Sequence, residues 1–260
     1  KLRIINHGVD FSEFRPLDDN NRAAVRAKFF NITDPNKFLW VQVNRNSPRK
    51  DIARSILAFA EFKKKHPNSM MYLHTAAKDT TIDLIDAVQD LGLDPTQDVI
   101  FPKNFSPGKP FPVELLNMLY NCGDAFVTTT LGEGWGLTHL EAAAAGVPIV
   151  CPENTCFPEQ LDNGSRGYLY ECKEKIWIDN SGYRPWANIQ DIVDKMEECY
   201  KDTLSLRHFG KGKQGKMKED MKSYLDTIQW KLIGQQWVEL FKELENSKPV
   251  VEEVSLGEEL

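Results

Sequence analysis

Glu133 and Glu141 stand eight residues apart around a glycine-rich turn, Gly132-Glu133-Gly134-Trp135-Gly136, that opens the helix-forming run Leu137 to Ala145. An ionised carboxylate accepts hydrogen bonds on two oxygens, which suits the vicinal hydroxyls of a ribose or a hexose. The amides of Gly134, Trp135, Gly136 and Leu137 fall where a helix N-terminus leaves donors unpaired, and such donors bind phosphate. A second cluster, Asn44-Arg45-Asn46-Ser47-Pro48-Arg49-Lys50, gathers cations in one loop. Arg45, Lys50 and the helix dipole would together neutralise a diphosphate without a metal, and no Asp-x-Asp pair occurs to bridge one.

Both loops need strands to carry them. From Lys37 onward apolar runs alternate with amphipathic ones: strands at Phe38–Val43, Met70–His74, Asp98–Phe101, Ala125–Thr129 and Ile149–Cys151, with helices near Asp51–His66, Thr81–Leu91, Val113–Asn121 and Leu137–Ala145 between them. A sixth strand is expected at Gly167–Tyr170. That alternation predicts an α/β domain with a doubly wound, parallel, Rossmann-like sheet. In such a sheet ligands sit beyond the carboxyl ends of the strands, so the cationic loop and the glycine turn share one edge. Glu171 to Ala187 reads as irregular with no strand signal, and helices follow at about Ile189–Tyr200, Leu204–Tyr224 and Thr227–Leu244. The run Leu2-Arg3-Ile4-Ile5 looks strand-like, the basic run Lys211 to Lys218 reads as a solvated helix face, and residues 246–260 read as a disordered tail.

Composition excludes several classes. With 260 residues, 41% hydrophobic and 27% charged, the chain is long and apolar enough for a buried core rather than a disordered segment. A net charge of -6 gives no field to hold a nucleic acid. No apolar stretch approaches the ~20 residues of a membrane helix. Five cysteines without a C-x-x-C pair read as reduced thiols in a cytoplasmic protein, and the histidines lack metal-ligand spacing. The glycine turn is not G-x-G-x-x-G and follows a late strand, which argues against a nicotinamide or flavin cofactor.

The run Thr130-Leu131-Gly132-Glu133-Gly134-Trp135-Gly136-Leu137-Thr138-His139-Leu140-Glu141-Ala142 resembles the E-x7-E motif of the retaining glycosyltransferases of family 4. The likeness continues in order: Asn6-His7-Gly8-Val9-Asp10 with Phe14 and Pro16 is similar to the family's interdomain segment, and Arg45 and Lys50 to its basic loop. Ala145-Gly146-Val147-Pro148-Ile149-Val150, then Pro158-Glu159, Asp162, Gly164 and Gly167, resemble the closing motifs. Ordered matches of this kind are far more specific than one alone.

The resemblance implies a GT-B enzyme of two facing Rossmann-like halves, of which this chain is the C-terminal, donor-binding one. It implies division into a linker (1–16), the nucleotide-sugar-binding domain (17–170), a helical extension (171–245) and the tail (246–260). Arg45 and Lys50 would hold the donor diphosphate, and Glu133 the sugar hydroxyls. Gly134, Trp135, Gly136 and Leu137 would lie against sugar and diphosphate, Glu141 would take the ribose, and the base would lie near Pro102–Phe105, hence near Lys103 and Asn104. Glu133, Arg45 and Lys50 are the expected catalytic group. The donor would be UDP- or GDP-linked, with GDP slightly favoured, and no cofactor or metal is expected. The acceptor, a glycan, lipid or protein, would be bound by an N-terminal half, which would also carry any peripheral membrane association. His139, variable in the motif, is expected to be a supporting or surface residue. The last amphipathic helix should pack where a partner domain would be. Thr155-Cys156-Phe157 stands where a glycine pair is frequent in the family, on the donor-sugar side. Two other readings compete: a sugar-nucleotide epimerase of similar fold, and a non-catalytic nucleotide-sugar-binding module.

Overall fold

A computed structural model describes residues 2–78, 82–103, 105, 111–178 and 182–247. In chain order the elements are α1 (Asp19–Phe30), β1 (Phe38–Val43), α2 (Ile52–Lys65), β2 (Ser69–His74), α3 (Leu84–Asp90), β3 (Val99–Ile100), α4 (Val113–Cys122), β4 (Ala125–Val127), α5 (Leu137–Ala144), β5 (Ile149–Pro152), α6 (Phe157–Gln160), β6 (Tyr168–Tyr170), β7 (Glu174–Ile178), β8 (Gly182–Trp186), α7 (Ile189–Phe209), α8 (Lys213–Thr227) and α9 (Trp230–Asn246).

β1 to β6 form one parallel sheet in the order β3-β2-β1-β4-β5-β6. Every residue of β1 and β2 is buried, as befits central strands covered on both faces. Alternate residues then serve two cores. Leu39, Val41 and Phe126 pack with Leu119, Leu140 and Met221 on the α4, α5 and α8 side. Phe38, Trp40 and Val127 pack with Phe59, Phe62 and Met196 on the α2 and α7 side. Strand order reverses between β1 and β4, and that switch point is where the two chemistry-bearing loops emerge.

An ion cluster locks the opposite edge. The Asp124 carboxylate has no side-chain exposure and pairs with Arg22 at 2.6 Å, with Arg26 at 3.1 Å and with Arg207. Burial opposes its charge, but the guanidinium groups outweigh burial and hold its pKa below the usual range. α1, which hydropathy alone does not announce, is tied to the sheet by this cluster.

The structure corrects several expectations. Leu2 and Ile4 are 89% and 81% exposed and join no strand. The chain first pairs at Val9, whose amide donates to the Ile228 carbonyl at 3.0 Å, while Gly8 admits the Trp230 ring where a Cβ would lie 2.6 Å from it. Within the stretch expected to be irregular, β7 and β8 form an antiparallel hairpin outside the main sheet. Its two strands find their partners in each other, which no neighbouring periodicity reveals. α7 runs unbroken through Tyr200 to Phe209 and ends at Gly210 in the left-handed region (φ 62°). On α8, Gln214 and Met217 are buried, so the basic run is only partly a solvated face. The tail expected at 246–260 lies outside the described residues beyond Ser247. No helix among the described residues is long and apolar enough to cross a membrane.

Candidate donor site at the switch point

β1 and β4 lie side by side in register, Trp40 opposite Ala125 and Val41 opposite Phe126, so the loops that leave them are neighbours. Hydrogen bonds stitch those loops together. The Leu131 amide donates to the Arg49 carbonyl at 2.8 Å, the Thr129 hydroxyl to the Asp51 carbonyl at 2.7 Å, and the Asn44 amide to Thr128 Oγ1 at 3.1 Å.

Glu133 is the meeting point. Its carboxylate accepts from Lys50 Nζ at 2.5 Å, Thr130 Oγ1 at 2.7 Å and Arg49 at 3.0 Å. Burial raises the cost of its charge, but the donors from Lys50, Thr130 and Arg49 prevail and its pKa falls below the ordinary value. Arg49 also donates to the Gly132 carbonyl. Arg49 thus joins the cluster in which sequence reasoning gave roles only to Arg45 and Lys50. Arg45 itself is exposed at the end of β1.

The turn into α5 is built for an open N-terminus. Gly136 is the N-cap residue at φ 75°, with no side chain capping the helix. A Cβ there would lie 2.4 Å from the His139 ring, so conformation and contact both demand glycine. Gly134 faces open space. Beneath the turn His139 is 1% exposed, with Nε2 2.5 Å from Gln160 Oε1, and Gln160 Nε2 donates to the Trp135 carbonyl at 2.8 Å. His139 is therefore a buried support of the turn and not a surface residue. Burial pushes its pKa down to about 4, so it is neutral at pH 7. Leu137 is exposed and Trp135 half-buried.

Glu141, on the next turn of α5, meets α4: Tyr120 Oη donates to Glu141 Oε2 at 2.7 Å. Burial raises the Glu141 pKa above its usual value, opposed by the Tyr120 hydroxyl and by His7. Tyr120 is the partner that a carboxylate on an alanine-rich face requires.

Farther along the edge, the His74 ring at the end of β2 packs against Phe111 and Phe105, with centroids 4.6 Å and 5.5 Å away. Burial pushes the His74 pKa down to about 4. Lys103 is exposed on the loop after β3, and among the described residues no ion pair joins it to the Glu133 cluster; Asn104 lies outside the described residues. From the hairpin, Arg184 brings Nη1 within 4.0 Å of where a Gly132 Cβ would lie, and its buried Nε has no partner. Neither the aromatic cluster nor Arg184 stands out in the sequence, because each acquires its place only through tertiary packing.

Comparison with known proteins agrees with this geometry. Residues 25–178 match the family model described as glycosyl transferases group 1. The D-inositol 3-phosphate glycosyltransferase of Corynebacterium kroppenstedtii is 26% identical over 202 residues, 74% of this chain and 40% of that protein. The chain therefore spans about two-fifths of that relative. The solved C-terminal domain of a glycosyl transferase group 1 family protein from Francisella tularensis shares the fold at a TM-score of 0.61 and 21% identity, covering 85% of this chain and 97% of that domain. Anabaena HepE, solved with UDP and glucose, superposes at a TM-score of 0.71 with 18% identity over 93% of this chain and 57% of its own.

Proposed function

The chain belongs to the glycosyl transferases group 1 family, and on that premise we propose that it is the donor-binding half of a retaining glycosyltransferase that uses a UDP- or GDP-linked sugar. The observation that carries this reading is the convergence of Lys50, Arg49, Glu133 and the uncapped N-terminus of α5 at the switch point of the sheet. HepE's bound UDP and glucose support a nucleotide-sugar donor.

Each residue then has a task. Arg45 and Lys50 face the diphosphate, and the first amides of α5 add donors to its oxygens. Glu133 orients sugar hydroxyls, and its lowered pKa suits it to accept hydrogen bonds rather than to take a proton. Glu141, held by Tyr120, accepts from the ribose hydroxyls. His74, Phe105 and Phe111, with Lys103, flank the base.

In the reaction the bond between the sugar carbon and the diphosphate oxygen breaks while the acceptor oxygen forms its bond on the same face. The acceptor proton passes to the departing phosphate oxygen. Cations and helix amides aimed at that oxygen stabilise the charge it gains, which is where such groups accelerate the chemistry. No metal is required for this neutralisation. The acceptor, whether glycan, lipid or protein, belongs to an N-terminal half. The exposed apolar residues Trp237, Val238, Phe241 and Leu244 of α9, with Leu2 and Ile4 flanking the Arg3 that pairs with Glu243, support a docking surface for it.

Calorimetry with UDP, GDP and their hexoses tests the proposal. One nucleotide diphosphate should bind the intact chain and lose at least tenfold affinity in Glu141→Ala. Absence of binding by every nucleotide would refute it. Sugar transfer only when an N-terminal half is supplied would separate a half-enzyme from a non-catalytic binding module.

A further inference from the structure

Outside the parallel sheet, the β7–β8 hairpin presents two unlike faces. Its register sets Trp177 opposite Tyr183 and Ile176 opposite Arg184, and side chains alternate between faces along each strand. Trp177 and Tyr183 share the outer face, 60% and 69% exposed. Arg184 and Trp186, two residues apart, share the other. Trp186 shows what that second face meets: its indole Nε1–H donates to Asp51 Oδ2 at 3.2 Å, and the Arg54 guanidinium lies 3.5 Å from the centre of its ring. Asp51 directly follows Lys50, so the hairpin is fastened to the end of the cationic loop.

Arg184 reaches the glycine turn. A Cβ built on Gly132 would lie 4.0 Å from Arg184 Nη1 and 3.2 Å from Thr155 Cγ2, so the guanidinium and Thr155 close on the turn from the side that glycine leaves open. Thr155 Oγ1 in turn accepts from the Glu133 amide at 3.0 Å. Arg184 therefore stands at the residue ahead of Glu133, whereas the open amides of α5 follow Glu133.

The guanidinium has no hydrogen bond and no ion pair among the described residues. Its Nε is closed off from solvent, while Nη1 and Nη2 are not, so the group is held in place with its outer edge left for a ligand. A part-buried cation without an acceptor is costly to keep. β8 begins beyond residue 178, the last that matches the family, so Arg184 belongs to none of the ordered motifs.

We propose that Arg184 is a specificity residue of the donor site and selects a nucleotide sugar whose hexose carries a carboxylate, a hexuronic acid. This rests on the donor-site reading, in which Glu133 holds the sugar and the α5 amides the diphosphate. An anion that meets Arg184 on the Gly132 side is then a group of the sugar. The planar guanidinium edge matches a carboxylate with two parallel hydrogen bonds. A neutral hexose leaves that edge unpaired, and a site built to bond a polar group rejects the analogue that lacks it.

Calorimetry with UDP, UDP-glucose, UDP-glucuronic acid and UDP-galacturonic acid, and with GDP, GDP-mannose and GDP-mannuronic acid, tests the proposal. In the series whose bare diphosphate binds, a uronic acid donor should bind at least tenfold tighter than the neutral hexose donor. Arg184→Gln should erase that difference and leave affinity for the bare diphosphate unchanged, and Arg184→Lys, which keeps the charge without the fork, should retain only part of it. Tyr183→Ala, on the outer face, should keep the preference in full, which separates loss of the guanidinium from disturbance of the hairpin. If Arg184→Gln fails to fold, the preference of the parent protein decides. Binding of a bare diphosphate with no preference for a uronic acid would overturn the proposal and spare the donor site. So would an equal loss for every ligand in folded Arg184→Gln, which would assign the residue to the diphosphate. Failure of every nucleotide to bind would overturn both readings.

Discussion

Lys50 Nζ lies 2.5 Å from Glu133 Oε1, so the residue expected to hold phosphate and the residue expected to hold sugar are one ion pair before any donor arrives. A diphosphate must therefore share Lys50 with a carboxylate. Replacing Glu133 by Gln removes the charge that holds Lys50 and turns one of the two oxygens that would accept from the sugar into a donor. UDP or GDP alone should bind Glu133→Gln as tightly as the parent or tighter. The added affinity of the nucleotide-hexose over the nucleotide should fall about tenfold, or ~1.4 kcal/mol. Paired titrations of nucleotide and nucleotide-hexose measure both quantities, and an equal loss in the two would contradict the division of roles.

The Tyr120–Glu141 hydrogen bond sets the pH below which the ribose contact is lost. Burial raises the Glu141 pKa and the Tyr120 hydroxyl opposes that rise. A protonated Glu141 loses acceptor capacity, so nucleotide affinity should fall as pH drops through the raised value. In Tyr120→Phe the fall should begin at higher pH. Dissociation constants measured from pH 8 to pH 4 for both proteins check the direction of the shift.

Gly134 and Gly136 separate binding from folding. Gly136 combines φ 75° with the His139 ring against its Cβ position, so Gly136→Ala should destabilise the chain by about 1–3 kcal/mol. Gly134 has no positive φ and no atom within 4 Å of a built Cβ. Gly134→Ala should leave urea stability within about 0.5 kcal/mol and weaken only the nucleotide-hexose. Denaturation and calorimetry on the two variants distinguish the outcomes.

His139 predicts a specific acid sensitivity. Its folded pKa of about 4 lies below its ordinary 6.5, so the unfolded chain binds the proton more readily as pH falls. Stability is therefore full above pH 6.5 and declines between 6.5 and about 4. The contribution is on the order of 2 kcal/mol between pH 7 and pH 5. Urea denaturation at those two pH values should show a smaller drop for His139→Asn than for the parent; parallel drops would contradict it.

Much of this arrangement is legible along the chain. Phe38–Val43 and Ala125–Val127 announce buried strands by their unbroken apolar character, and the glycine turn announces an uncapped helix. Pairing is the part that stays hidden. Arg49 meets Glu133 across 84 residues and Tyr120 meets Glu141 across 21, both by strand order rather than by local pattern. The β7–β8 hairpin escapes because Pro185 and exposed Trp177 and Tyr183 break the pattern of a buried strand. Leu2 to Ile5 misleads in the other direction: the run is apolar enough for a strand, but among the described residues no strand pairs with it.

Amide chemical-shift mapping with a UDP- or GDP-hexose tests the central claim most directly, because it reports where a donor sits. The signals of Lys50, Gly134, Trp135, Gly136 and Leu137 should shift together, with Glu141 following, while Phe14 and Met217 at the opposite edge stay still. Shifts confined to that opposite edge, or none with any nucleotide sugar at millimolar concentration, would contradict a donor site at the β1–β4 switch point.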